Sequence, residues 1–330
     1  MKKRLIALAA LASAGAAMAQ SNVTLYGRLD ASIGTDKNHV TNVSNSQLFS
    51  GMLTTSRLGF RGTEDLGGGL KANFQLEAPL TVDNGNAAGL AFTRASWVGL
   101  SGGFGALRLG LTDSPYKDLF DLGNSHAVYD SAFSPYNVAY AGLANSIGRP
   151  ANTVRYDTPN LGGFSSAVSY SFNEDSATTP QVGAFNVRYK GGPVDVGLAH
   201  QNQNNKNNAD PATLDRDYTL LAASFDFGAA RLSGSYQITD QSGAKDKEFT
   251  IGVSVPLGAF DVSAGYARGK SENAAGANNG KGTAFALGAT YALSKRTRVY
   301  GGYLNGDVEN AEGTTTTDRT LYSFGVRHDF

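Results

Sequence analysis

No cysteine occurs anywhere in the 330 residues, so no disulfide holds the fold together. Proline is scarce as well, at nine, and no Pro-rich or Ser-rich linker divides the chain, which reads as one domain. No apolar run approaches the roughly 20 residues that a membrane-spanning helix requires. Apolar residues do not recur at i, i+3 and i+4 over any long window, which argues against a helical protein. Basic and acidic residues balance at 28 each, unlike the charge of a nucleic-acid binder. Metal-ligand spacings, a phosphate-cradling glycine loop and an activated nucleophile are also missing, and "LGGGL" at 66–70 reads as a hairpin turn. No cofactor is expected.

What is present begins with a leader. Lys2, Lys3 and Arg4 precede about twelve residues of Leu, Ile and Ala, then Ala17-Met18-Ala19 supplies small residues in a cleavage-site pattern. Residues 1–19 are expected to be a removed signal peptide, with the mature chain starting at Gln20; the alternative, an anchor helix, would need a longer apolar run. Removal takes three basic and no acidic residues, leaving 25 against 28 and a formal charge of −3. A chain that enters an oxidising compartment without disulfides must draw its stability from a large hydrogen-bonded framework.

The remainder alternates with a period of two, the period of a strand. Leu70, Ala72, Phe74, Leu76, Ala78 and Leu80 share one face, and Lys71, Asn73, Gln75 and Glu77 the other. The same pattern runs through "EFTIGVSVPL", "FDVSAGYARG" and "AFALGATYAL", and about sixteen such segments follow one another between Asn22 and Phe330. Short Gly-rich turns such as "SGGFGAL" and "PLGAFD" alternate with longer polar stretches at 35–50, 81–90, 201–215, 270–282 and 307–318. That is an up-and-down sheet with unequal rims. A soluble β-sandwich also alternates, but it would show irregular strand lengths, more proline and Greek-key crossovers. An even strand count, a leader and uncharged outward faces favour a closed transmembrane antiparallel β-barrel, in which lipid forbids unpaired sheet edges.

The chain ends in "LYSFGVRHDF", with Tyr322, Phe324, Val326, His328 and Phe330 on one face. This ending resembles the general porins of Gram-negative outer membranes in their β-proteobacterial branch, as do "SNVTLYGRLDASIG", "SRLGFRGTEDLGGGLKANFQLE", "RASWVGLSGGFGALRLG" and "NTVRYDTPNLGGFSSAVSYSF". The resemblance implies a sixteen-stranded barrel, a homotrimer among outer-membrane lipids and lipopolysaccharide, and a third long loop folded into the lumen. It also implies that Tyr322, Phe324, Val326 and Phe330 form the signal read by the barrel assembly machinery, and that the last strand pairs with "NVTLYGRL". Function would then be passive diffusion of small hydrophilic solutes and inorganic ions.

Alternation disappears from Asp113 to Gly148, a stretch holding Asp113, Asp118, Asp121 and Asp130 among aromatic residues, which makes it the candidate inward loop; a loop lying over the mouth is the alternative. Strand phase turns Arg28, Arg57, Arg61, Arg108 and Arg155 toward the lumen, and sets Arg94 opposite Ala95 and Trp97, which are assigned to the lipid side. The resemblance points to Arg57, Arg94 and Arg155 as the basic side of a constriction, with Arg149 close to the last, and anion preference is expected. A sugar- or organic-anion-specific channel, a structural or adhesin barrel and an enzyme are rival readings. His39, His126, His200 and His328 lack a recognisable serine and carboxylate arrangement, which argues against the enzyme.

Overall fold

The period-two sequence folds into one closed sheet. A computed structural model describes residues 22–85, 90–124, 131–140, 146–173, 180–204 and 215–330. The expected signal peptide, His126 and Asp130 lie outside the described residues, as do 125–130 and 141–145 of the candidate loop. The strands are β1 (Asn22–Asn38), β2 (Val43–Ser50), β3 (Arg57–Gly67), β4 (Leu70–Pro79), β5 (Ala95–Gly102), β6 (Gly105–Leu111), β7 (Thr153–Asp157), β8 (Phe164–Ser171) and β9 (Gln181–Gly191). They continue with β10 (Val194–Asn204), β11 (Arg216–Asp226), β12 (Arg231–Gln241), β13 (Ala244–Leu257), β14 (Phe260–Glu272), β15 (Asn278–Ala292), β16 (Thr297–Asn310) and β17 (Thr315–Asp329). Among the described residues two helices, α1 (Pro115–Gly123) and α2 (Tyr136–Ala139), lie between β6 and β7.

Pairing is antiparallel throughout, and β1 pairs with β17 from Arg28↔Asp329 to Asn38↔Arg319, which closes the sheet. β2 and β3 occupy a single place in the wall. β2 pairs with one half of β1, from Ala31↔Ser50 to Asn38↔Val43, and β3 pairs with the other, from Asn22↔Thr63 to Arg28↔Arg57. Residues 51–56 leave the wall between them and turn Met52 and Leu53 into the interior. The described strands therefore make the sixteen-stranded barrel that the alternation predicts.

The outward positions carry the exposed apolar side chains, among them Val98, Leu198, Leu221, Ile251, Leu287 and Phe324, the last 72% exposed. Aromatic pairs form two bands around the wall. Phe164–Tyr189, Phe225–Phe227 and Phe260–Tyr291 lie towards the rim of short turns, and Tyr170–Phe172, Phe249–Tyr266 and Phe285–Tyr303 lie further along the strands. On β15, Phe285 and Tyr291 are six residues apart, about 20 Å at roughly 3.3 Å per residue, comparable to the apolar belt of about 25 Å in barrels of this kind. Among the described residues no helix is long and apolar enough to cross a membrane.

Three of the polar stretches expected as loops are largely strand. Residues 35–50, 270–282 and 307–318 contain only the turns 39–42, 273–277 and 311–314. Beyond the apolar belt both faces of a strand meet water, so hydrogen-bonded ladder continues where hydropathy no longer alternates.

The seam joins the two ends of the described chain. Gly27 N–H donates to the Phe330 carbonyl at 3.0 Å, and Phe330 N–H returns to the Gly27 carbonyl at 3.1 Å. A side chain at Gly27 would meet the Phe330 ring, since its Cβ would lie 2.3 Å from the ring. Gly27→Val is expected to lower seam stability by about 1–3 kcal/mol, the usual cost of overpacking. Electrophoresis of unboiled, progressively heated samples reads it as conversion of the compact folded band to the extended band at a lower temperature.

Candidate pore constriction

The segment between β6 and β7 is built to lie on the inner wall. Ser114 caps α1 by accepting from the Lys117 N–H at 3.2 Å, and Pro115 opens the first turn, where its missing N–H costs nothing. Tyr116 and Leu119 are fully buried, with Tyr116 edge-on to Tyr218 at 5.8 Å and donating its hydroxyl proton to Gln237. Leu119 packs over Gly197 of β10, an inward position without a side chain. Burying each such side chain contributes about 1.5–3 kcal/mol. Polar groups on the wall hold the backbone ends: Asn186 donates to the Pro115 carbonyl at 2.7 Å, Ser233 to that of Gly123 at 3.2 Å, and Gln201 to that of Ile147 at 3.1 Å. A second apolar cluster joins Phe133, Val138 and Ala139 to Met52, Leu53, Tyr300, Leu304 and Leu321. The described parts of the loop thus pack against β9–β12 and β14–β17.

Charge gathers where this segment meets the β3–β6 wall. Arg57, Arg94, Arg108 and Arg149 converge with Glu77, Asp113 and Asp118 on one recess of about 200 Å³, four guanidinium groups against three carboxylates. Glu77 takes Arg94 Nε at 2.7 Å and the Tyr26 hydroxyl at 2.9 Å, while Arg57 stands off at 3.5 Å. Arg149 pairs with Asp113 at 2.6 Å. Burial raises the Asp118 carboxyl above the ordinary aspartate range, and the charge of Arg155 opposes that shift.

The expected residues do not all meet. Arg155 is only 4% exposed and fully engaged, with Asp118 Oδ2 at 2.5 Å, Asp157 Oδ1 at 2.6 Å and the Asp113 carbonyl at 2.6 Å. It ties the loop to β7. Arg28 pairs with Asp329 at 2.5 Å beside the seam, Arg61 lies over the Tyr26 ring at 5.0 Å, and Asp121 is held by Lys117 of the same helix at 2.5 Å. Tyr322, Phe324, Val326 and Phe330 lie on the outward face with substantial exposure.

One phase argument fails. Val98 and Leu100 of β5 are the exposed outward residues, so Ala95 and Trp97 point inward, contrary to their expected lipid-facing placement. Arg94 precedes β5 and takes its place through its N–H bond to the Glu77 carbonyl at 3.0 Å rather than through strand phase. Arg149 and Glu77 line the recess although the sequence did not single them out as sites. Glu77 was legible as the acidic residue on the inward face of its strand, whereas Arg149 sits in irregular chain with no periodic signal. Of the histidines, His39 bonds Thr320 at 3.0 Å and His328 bonds Thr297 at 2.9 Å. His200 faces its cross-strand neighbour Thr219 at 3.1 Å, with Asp217 at 3.7 Å.

Known proteins agree with this architecture along the whole chain. The family model for Gram-negative porins matches residues 5–329. Outer membrane porin protein 32 of Delftia acidovorans is 40% identical over 323 residues, covering 91% of this chain and 88% of that protein. An outer membrane porin protein of Bordetella pertussis is 32% identical over 393 residues, and the match covers 100% of both. A solved anion-selective porin from Comamonas acidovorans superposes with a TM-score of 0.81 at 31% identity, covering 94% of this chain and 100% of that one. A loop-deletion variant of the Vibrio cholerae outer membrane protein OmpT, at a TM-score of 0.74 and 20% identity, shares the fold and covers 94% of this chain and 99% of its own. A closed barrel with an apolar outer belt, matched end to end by these proteins, belongs to the Gram-negative porin family and resides in the outer membrane.

Proposed function

We propose that the barrel is a water-filled channel for passive diffusion of small hydrophilic solutes and inorganic ions, with a preference for anions set by Arg57, Arg94 and Arg149. The observation that carries this is the recess where four guanidinium groups oppose three carboxylates. An ion in a narrow passage feels the nearest charges most. Unit charges about 4 Å apart interact by roughly 1 kcal/mol in bulk water and roughly 4 kcal/mol at an effective dielectric of 20, while groups beyond about 10 Å are largely screened at 0.1 M salt. Acidic residues in exposed turns therefore weigh little against the recess. The related Comamonas porin is described as anion-selective, which supports the reading.

In this reading residues 113–148 are the constriction loop, with Asp113 and Asp118 as its opposing charges and Arg155 as the tie that keeps it in place. Residues 1–19 are a removed signal, and 20–330 form one barrel domain. The chain works as a homotrimer among outer-membrane lipids and lipopolysaccharide, inserted by the barrel assembly machinery through its aromatic last strand. The family is one of channels rather than enzymes, and no catalytic role is proposed for any residue.

Three outcomes test this. In a KCl gradient across a planar bilayer, the wild-type reversal potential should show chloride preference, and Arg57→Ser, Arg94→Ser and Arg149→Ser should each move it towards potassium. Arg155→Ser should instead add open-channel noise and closures, because it frees the loop; unchanged potentials in all the first three variants would refute the arginine assignment.

Acidification should strengthen chloride preference. The Asp118 carboxyl is raised by burial, so its negative charge is present well above the ordinary aspartate value of about 3.9 and is lost as pH falls through a higher value. Recordings at stepwise lower pH should show the shift in wild type and not in Asp118→Asn.

Deleting Phe330 should reduce the folded oligomer in outer-membrane fractions more than it reduces synthesis. Unboiled electrophoresis reads both points, since the wild type should run as an assembly of three chains. A monomeric wild type would end the trimer proposal, and a normal yield of the deletion variant would end the signal role.

A further inference from the structure

The chain has a single tryptophan, and it is not in the outer aromatic girdles. Trp97 lies on the inner wall of β5, with the Arg108 guanidinium stacked over its ring at 5.2 Å. A second stacked pair, Arg61 over Tyr26 at 5.0 Å, lies on the same wall. The two arginines and Trp97 line a niche of about 480 Å³, with Asn73 and Gln75 between them, on the short-turn side of the charged recess. Trp97, Gln75 and Arg108 line both spaces, so the niche is the next station along the passage.

Three features distinguish the niche from a plain wall. Its floor is small: Trp97 faces Gly110 across the strands and Arg108 faces Gly99, which leaves room above the sheet. Its cations are under-compensated. Arg61 forms no ion pair among the described residues, and the Asp157 partner of Arg108 stands off at 3.6 Å. Its surface is amphipathic, because an arginine stacked on an aromatic ring presents N–H donors along its edge and leaves a flat π surface alongside. A monatomic anion needs no such surface. A neutral sugar uses the aromatic and amide groups but not two guanidinium groups.

We propose that this niche is a subsite for small aromatic carboxylates, the benzoate class, with Arg61 and Arg108 supplying the positive charge that draws the carboxylate and Trp97 the surface for the ring. The volume lies within the range of small-molecule sites and holds such an anion with water. The subsite deepens the anion-channel reading and rests on it, giving the channel a preference among organic anions rather than between signs of charge.

The lone tryptophan makes the test site-specific. Intrinsic fluorescence of the purified, detergent-folded protein is titrated with benzoate, acetate, chloride and glucose at constant ionic strength. Benzoate should give saturable quenching with a half-saturation about tenfold below that of acetate, the factor expected for one ring contact, and glucose should give none. Arg61→Ser should weaken the benzoate response and Arg61→Lys should restore part of it, with unboiled electrophoresis confirming that each variant is folded. Trp97→Leu, which lacks the fluorophore, is read by conductance: benzoate should reduce chloride current in the wild type and not in this variant. Equal responses to benzoate and acetate, a response to glucose, or benzoate quenching that survives Arg61→Ser would overturn the subsite. Reversal potentials in KCl stand apart from these readouts, so chloride preference without benzoate binding sinks the subsite alone, and potassium preference sinks the anion preference beneath it.

Discussion

A backbone N–H or C=O left unpaired in hydrocarbon costs several kcal/mol, and no side chain on a lipid-facing strand can repair it. The β1–β17 seam removes that cost at the one place where an up-and-down sheet would otherwise keep two open edges. Everything else depends on this closure. Because the sheet closes, every strand has one face on lipid and one on the interior, and the chain can place polar side chains at every second position. The seam is reinforced where it is most exposed to fraying: the Gly27 and Phe330 backbones exchange two hydrogen bonds, the Phe330 ring covers the bare Gly27, and Arg28 reaches Asp329 on the inner side.

Closure creates a second problem, since a barrel of this size encloses more space than inward side chains fill. The chain fills part of it with its own irregular segments. Residues 51–56 and the stretch between β6 and β7 carry apolar side chains inward, and the wall meets them with small residues and buried hydrogen-bond donors such as Asn186 and Gln201. Those apolar contacts carry no charge for salt to screen or pH to titrate. The charged contacts on the opposite wall respond to both, so the interior divides into a packed half and an electrostatically active half.

What could be read from the sequence follows from which interactions leave a periodic trace. Phe324, Val326 and Phe330 alternate with Ser323, Gly325 and Asp329 because lipid and water lie on opposite sides of one strand, and that pattern carries both face and closure. Arg57 and Arg61 were legible for the same reason, flanked by Leu58 and Phe60. Trp97 is misplaced by phase because an aromatic residue in a barrel strand is ordinarily a girdle residue, and the cation stacked on it comes from β6, eleven positions along the chain. Arg149 leaves no periodic trace, since it lies in irregular chain and its partner Asp113 is at the far end of the loop. The polar stretches around 40, 275 and 312 read as loops because hydropathy reports solvent and not hydrogen bonding.

The Arg155 site ties the two halves together. A guanidinium this buried is tolerable only with its donors taken, and here two carboxylates and a carbonyl take them. One of those carboxylates belongs to α1 and the other to β7, so the ion pairs fix where the helix lies against the wall. The helix position in turn fixes where Asp113 and Asp118 stand relative to Arg57, Arg94 and Arg149 across the recess. The recess thus holds both signs from both sides, with Asp113, Asp118 and Arg149 of the β6–β7 segment meeting Arg57, Glu77, Arg94 and Arg108 of the wall. Arg155 therefore shapes the recess by placement, through the carboxylates it holds, rather than by presenting its own charge there.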